Sequence, residues 1–348
     1  MSRVWCSDAA RARGDDNAGT ASRVDLWILV ELPTTWGRNP IHDAVLPPDV
    51  RDALKRATVN IPRSRVVFIR KRVECLGPIR VYVVRSAPEI STISLDLGSI
   101  EELADVPFGN LARSTRTGSL DFARDDANAI LSCHPEPPSE SEGRSRDPVP
   151  KPGQSPRTGS LDFARDDTRG STLPLVLVCT HGQHDSCCGR RGYPLFDALR
   201  RHDELEVWQC SHIGGDRFAA NAVVLPWGLY YGPVEPRDAR ALTNSISRGE
   251  IFLPAYRGRC SLSRPVQAAE TFIRRATGIL GLDGLRFESR EELPFDQIRV
   301  RFRGPGNAAF EATIELFIAT EAARLTCTAM HDDPIPEFRL VGEVRVGV

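Results

Sequence analysis

The sequence has no apolar run long enough to cross a bilayer. Its longest, VDLWILVEL and LPLVLVC, fall well short of the roughly 20 residues a spanning helix needs and read as buried strands. The opening residues, MSRVWCSDAARARGDD, have no apolar core of signal-peptide length. Neither sign of charge dominates: 45 Lys and Arg stand against 46 Asp and Glu, a formal net charge of -1. That balance gives no bulk reason to expect a nucleic acid or membrane partner. There is no G-x-G-x-x-G after a strand and no Walker A sequence, so no nicotinamide, flavin or nucleotide site is expected. The C-x-x-C of a thiol oxidoreductase is also missing, and the vicinal Cys187-Cys188 pair is a poor substitute. These absences leave a soluble, cytoplasmic protein as the expectation.

Cysteine is plentiful. The nine are Cys6, Cys75, Cys133, Cys179, Cys187, Cys188, Cys210, Cys260 and Cys327. An odd number without an export signal argues against a disulfide framework and for metal or redox chemistry. Four of them fall between 179 and 210. Cys6, Cys75, Cys133, Cys260 and Cys327 have no spacing partner and read as structural.

The chain divides into four parts. Residues 1–21 are polar and small, a flexible lead-in. Residues 22–112 form an α/β region: VDLWILVEL, SRVVFIRKR and IRVYVVRS read as strands, and PPDVRDALKRA as a helix with Pro at its start. In residues 113–171 the string RTGSLDFARDD occurs at 116–126 and again at 157–167, flanking HPEPPSESEGRSRDPVPKPGQSPR. With so little apolar surface this stretch is expected to be a disordered insert. Residues 172–348 return to α/β alternation: LPLVLV, LEVWQCS, AVVLP, LYYG, IRVRFR, FEATIELFI and FRLVGEVRV as strands, YPLFDALRRH, PRDARALTNSISRG and RPVQAAETFIRRATGI as helices. CTHGQHDSCCGRRG and HIGGDRFAAN are left as loops. Trp36 and Trp227 read as packing residues.

Chemistry concentrates in those two loops. Cys179 ends one strand, with Cys187 and Cys188 beyond it. The next strand ends at Cys210 and runs into His212. Residues two apart on an extended chain face the same way, so Cys210 and His212 can point to one place. Gly214 and Gly215 permit a tight turn that brings Asp216 back beside His212. Thiolates select iron–sulfur clusters, zinc or copper(I), and imidazole suits iron and zinc. A helix beginning near Tyr193 would aim its positive end at Cys188. His181 and His184 read as exposed loop residues or donors behind the ligands, and Arg217 as a solvated charge.

CTHGQHDSCCGRRG and WQCSHIGGDRFAANAVVLPWGLYYG resemble the signature segments of the sucrase/ferredoxin-like family. The resemblance extends to GTASRVDLWILVELPTTWG upstream and YRGRCSLSRPVQAAETFIRRATG downstream. It implies a thioredoxin-like ferredoxin domain in the C-terminal half, packed with the N-terminal α/β region and separated from it by the insert. It further implies a [2Fe–2S] cluster held by two Cys spaced C-x8-C and two His spaced H-x3-H. Those positions are Cys179, Cys188 and His212 here, but Asp216 stands where the second His belongs. The fourth ligand is left open between Cys210 and Asp216. The implied function is electron transfer between a donor and an acceptor the sequence does not identify. A zinc-binding structural module using Cys179, Cys188, Cys210 and His212 is the alternative. No carboxylate pair supports the "sucrase" half of the name.

Overall fold

The computed structural model describes residues 5–71, 78–114, 118–121, 173–319 and 322–347. Cys75, Cys133 and most of the expected insert lie outside them.

Helix α1 spans Cys6–Arg13 and ends on Gly14 in the left-handed conformation. The lead-in is therefore not a flexible one. Cys6, Ser7 and Ala10 are buried, and Arg190 and Arg191 both bind Asp8. Strand β1 (Leu26–Glu31) is buried along its whole length. Helix α2 (Pro48–Asn60) buries Val50, Ala53, Leu54 and Ala57, the stripe of an amphipathic helix lying on a sheet. Strands β2 (Ser64–Arg70), β3 (Ile79–Arg85) and β4 (Ser91–Leu97) follow. The stretch expected to lack structure from residue 113 instead contributes β5 (Gly118–Asp121), parallel to β4.

After residue 172 the same order recurs: β6 (Leu175–Cys179), α3 (Ser186–Leu199), β7 (Glu206–Cys210), β8 (Ala222–Leu225) and β9 (Leu229–Tyr231). Helix α4 (Ala239–Ser247), β10 (Tyr256–Arg259) and α5 (Arg264–Thr277) complete this part. All ten strands form one sheet, ordered β10-β9-β8-β6-β7-β2-β1-β3-β4-β5.

Each half has the same topology. β1 is parallel to β2 and antiparallel to β3, which is antiparallel to β4. β6 is parallel to β7 and antiparallel to β8, which is antiparallel to β9. Numbered within a half, the order is 4-3-1-2 with one parallel pair, the thioredoxin-like arrangement expected for the C-terminal half. The N-terminal region has it too. The halves join through β2 and β7, antiparallel and overlapping only at Ile69↔Cys210 and Arg70↔Gln209. The carboxyl ends of β2 and β7 therefore meet at the middle of the sheet.

One core lies under α3 and α4, with Val176, Val178, Leu195, Phe196, Leu199 and Leu242. The opposite face carries Trp27, Leu29, Leu177, Trp208 and Tyr230, with Cys179, Cys188 and Cys210 among them. A second sheet is built from β11 (Arg286–Glu292), β12 (Gln297–Arg303), β13 (Ala309–Ile318), β14 (Pro336–Leu340) and β15 (Arg345–Gly347). It packs on α5 through Val266, Ala269, Ile273, Val300, Phe302 and Ile314. FRLVGEVRV is not one strand: Gly342, at φ +74°, separates β14 from β15.

Candidate metal centre

The loop after β6 is shorter than its sequence suggests, because α3 starts seven residues before Tyr193, at Ser186. Asp185 is the cause. Its Oδ1 accepts the Cys187 backbone N–H at 2.8 Å, an N-cap in the preferred geometry. Cys187 and Cys188 thus occupy the first helical turn, where the positive end of the dipole favours thiolate. Pro194 lies inside this helix.

Two glycines let α3 approach the Cys179 strand. A Cβ on Gly192 would run into the Cys179 carbonyl oxygen and stand 2.9 Å from its carbon; one on Gly189 would stand 2.9 Å from Gly182 Cα. On the other side, Gly214 and Gly215 turn at φ +99° and +86°. The buried Arg257 guanidinium fixes that turn, donating to Gly214 O at 3.1 Å and Asn221 Oδ1 at 2.8 Å. Arg65, from the first half, donates to His212 O and Ile213 O, both at 3.0 Å.

The result is a cluster. Donor atoms of Cys179, Cys188 and His212 all lie within 4.8 Å of one another, and so do those of His184, His212 and Asp216. The turn brings Asp216 back as expected: its Oδ1 is 3.1 Å from His212 Nδ1 and accepts the Cys188 thiol at 3.1 Å. The two thiols are buried, while the His212 side chain keeps 18% of its exposure. His184 stacks on His212 with ring centroids 3.8 Å apart.

The neighbouring Cys188 thiol and the His212 ring outweigh burial and hold Cys179 well below the usual thiol range. Cys188 is correspondingly pushed up by its bond to Cys179, by burial and by Asp216. For His212, burial opposes protonation, but Asp216 and Cys179 outweigh it and raise the ring to about 9. Burial likewise opposes the charge of Asp216, yet His212 keeps it ionised below the ordinary carboxylate range.

Cys210 joins neither group of donors. It pairs in register with Cys179 across β6 and β7 and is fully buried. Burial, then the Cys179 charge, pushes its thiol well up. His181 spends both ring nitrogens: Nε2 contacts Gly37 O at 2.6 Å, and Nδ1 accepts the His212 backbone N–H at 3.1 Å. Arg217 is buried rather than solvated; its guanidinium is 3.7 Å from Asp15.

The sequence leaves His184 as an exposed loop residue or a donor behind the ligands; the structure stacks it on His212. Its place on His212 depends on a carbonyl of the other half, Arg38 O, 3.1 Å from its Nδ1. Nothing in the local spacing signals that contact.

The donor set suits a [2Fe–2S] group chemically, with two thiols and two imidazoles. His212 Nδ1 is enclosed and makes no hydrogen bond; Asp216 is near enough for an ion pair but not angled for a hydrogen bond. With its Nδ1 turned to a carbonyl, His184 has Nε2 free for an ion, the usual orientation of a ligating imidazole.

The sequence matches a family profile described as sucrase/ferredoxin-like over residues 17–258. "Altered inheritance of mitochondria protein 32" of Meyerozyma guilliermondii is 34% identical over 95 residues, 24% of this chain and 34% of that protein. Its namesake in Eremothecium gossypii is 33% identical over 102 residues, 25% of this chain and 33% of that one. The matched stretch spans about a third of the length of these relatives. A thioredoxin-like [2Fe–2S] ferredoxin from Aquifex aeolicus superposes with a TM-score of 0.24 at 17% identity, over 26% of this chain and 94% of that one. So low a score assigns nothing to this chain.

Proposed function

This chain belongs to the sucrase/ferredoxin-like family, and from that premise we propose that it is an iron–sulfur protein that transfers single electrons. Cys179 and Cys188 would hold one iron of a [2Fe–2S] cluster, and His212 with His184 the other. Asp216 would hold its place between the Cys188 sulfur and the His212 ring. The observation that carries this reading is the convergence of Cys179, Cys188 and His212 within 4.8 Å.

When bound, the cluster supplies one-electron storage at a higher potential than four thiolates would give. The protein's own groups do the rest. The thiol pair faces the core and excludes water. His212 and His184 form the partly exposed edge through which a donor or acceptor, not yet identified, gains electronic contact. Arg65 and His181 fix the His212 backbone, and the Gly37 and Arg38 carbonyls fix the other two rings.

A second reading has its own support. Cys179, Cys188 and His212 already sit close enough for three corners of one tetrahedral ion, which would describe a zinc module. Two irons and two sulfides require His212 and His184 to stand further from the thiols. Anaerobic purification with iron, zinc and acid-labile sulfide analysis decides between them. We expect a brown protein with about two iron and two sulfide per chain, lost in Cys179→Ser and Cys188→Ser. A colourless protein with no labile sulfide overturns the iron–sulfur reading.

No helix among the described residues is long and apolar enough to cross a membrane. The seven described cysteines are free thiols, which supports a reducing compartment such as the cytoplasm. No role for nucleic acid or membrane is included in this reading.

A further inference from the structure

Behind the first turn of α3 lies another group of sulfur atoms. Donor atoms of Cys6, Cys187, Cys327 and Asp185 all lie within 4.8 Å of one another. Cys187 Sγ is 3.2 Å from Cys327 Sγ, Cys327 Sγ is 3.5 Å from Cys6 Sγ, and Cys6 Sγ is 3.9 Å from Asp185 Oδ1. None of these pairs is bonded as a disulfide. Cys327 stands 140 residues from Cys187 and 321 from Cys6, so no local spacing announces the group.

We propose that Cys6, Cys187 and Cys327, with Asp185 as fourth donor, form a second and separate metal site that takes a single zinc ion. Tetrahedral zinc with Zn–S bonds of about 2.3 Å places its sulfurs about 3.8 Å apart. The separations of 3.2 and 3.5 Å are shorter than that figure by a few tenths of an ångström, so an ion would spread the sulfurs slightly, and the Cys6–Asp185 distance suits a thiolate–carboxylate edge. A soft donor set of three thiolates selects zinc over magnesium or calcium.

The backbone supports the same conclusion. Cys6 is the first residue of α1 and Cys187 the second of α3, so two helix N-termini face the group and favour thiolates. Asp185 is held rather than merely close: its two oxygens accept the backbone N–H of Cys187 at 2.8 Å and of Cys327 at 2.6 Å. It draws two of the three ligand-bearing segments together. Cys6 and Cys187 are buried and Cys327 is half-buried, beside Ala219 and Trp5, a closed setting suited to a structural ion. Such an ion would tie the N-terminal helix, α3 and the connection between β13 and β14 of the second sheet into one piece. Cys187 and Cys188, adjacent in sequence, would then serve two different sites.

The test is zinc analysis of the full chain, purified under reducing conditions, alongside iron and sulfide. We expect about one tightly held zinc per chain, at least tenfold depleted in Cys327→Ser and retained in Cys327→His, with iron content unchanged in both. If Cys6→Ser or Cys187→Ser fails to fold, zinc K-edge absorption of the wild-type protein supplies the reading without a variant: three sulfur neighbours are expected. Zinc that persists in Cys327→Ser, protein that binds no added Zn²⁺, or a Cys187–Cys327 disulfide in freshly isolated protein each overturns the proposal.

Discussion

Replacing Gly192 by alanine tests whether α3 and the Cys179 strand are as close as described, because the two outcomes differ in sign. In an unobstructed helix, Gly→Ala stabilises by about 1 kcal/mol through propensity alone. Here the new methyl would strike the Cys179 carbonyl and stand 2.9 Å from its carbon and 3.3 Å from Thr180 Cα. Ordinary carbon contacts need about 3.5–4.0 Å, so helix and strand end must part by about 0.5–1 Å. Both partners are backbone, with no flexible side chain to yield. The overpacking cost therefore belongs at the upper end of the usual range, about 3 kcal/mol, leaving a net loss of about 2 kcal/mol after the helix gain. At about 2–4 °C per kcal/mol, Gly192→Ala should melt about 4–8 °C below wild type. Functional constellations tolerate displacements of only about 0.5 Å, so the variant should also purify with less iron. Thermal melting by circular dichroism and iron analysis on the same samples give both readouts. A Gly192→Ala protein that melts at or above wild type with full iron content would refute the described packing.

The fourth ligand separates by single substitutions: His184→Ala should lose the cluster, Asp216→Ala should weaken it, and Cys210→Ala should retain it, read by visible absorption and electron paramagnetic resonance. Metal uptake by the metal-free chain should strengthen with pH. His212 holds its proton up to about pH 9 and Cys188 holds its own higher still, so both protons must leave before ligation. Apparent affinity should rise by at least about tenfold per unit from roughly pH 7 to 9, measured by chelator competition; a flat profile would contradict the assignment. Away from the site, Arg274 and Glu270 form a fully buried pair on α5, with Tyr256 donating to Glu270 at 2.9 Å. Glu270→Ala should cost about 3–5 kcal/mol in denaturant unfolding, with the cluster spectrum of the folded fraction unchanged.

Most strands were legible because alternation and β-branched runs fix them locally; SRVVFIRKR and FEATIELFI need no tertiary help to be read. The start of α3 was not, since glycine and paired cysteines disguise a helix whose cap is Asp185. β11 escaped notice because Arg286–Glu292 is exposed along its length and so carries no apolar period. In the site, sequence brought Cys179, Cys188, His212 and Asp216 together, because two consecutive strand ends and a glycine turn suffice. His184, Arg65 and the Cys6–Cys187–Cys327 group were illegible for a shared reason: each depends on segments far apart in the chain. Cys210, paired in register with Cys179 and fully buried, stands outside both donor groups.

The seam between β2 and β7 makes the half that carries Cys179, Cys188 and His212 dependent on the other half. Gly37 and Arg38, from the loop after β1, offer the carbonyls that His181 and His184 grip, and Trp36 rests edge-on against His181 at 5.7 Å. Residues from 173 onward, excised as a ferredoxin module, would lose that wall, forfeit the Arg65 clamp and bare the margin of β7. The first half thus acts as the second half's permanent dimer partner, covalently attached, and trimming either away should dismantle the contacts that hold His181, His184 and His212 in place.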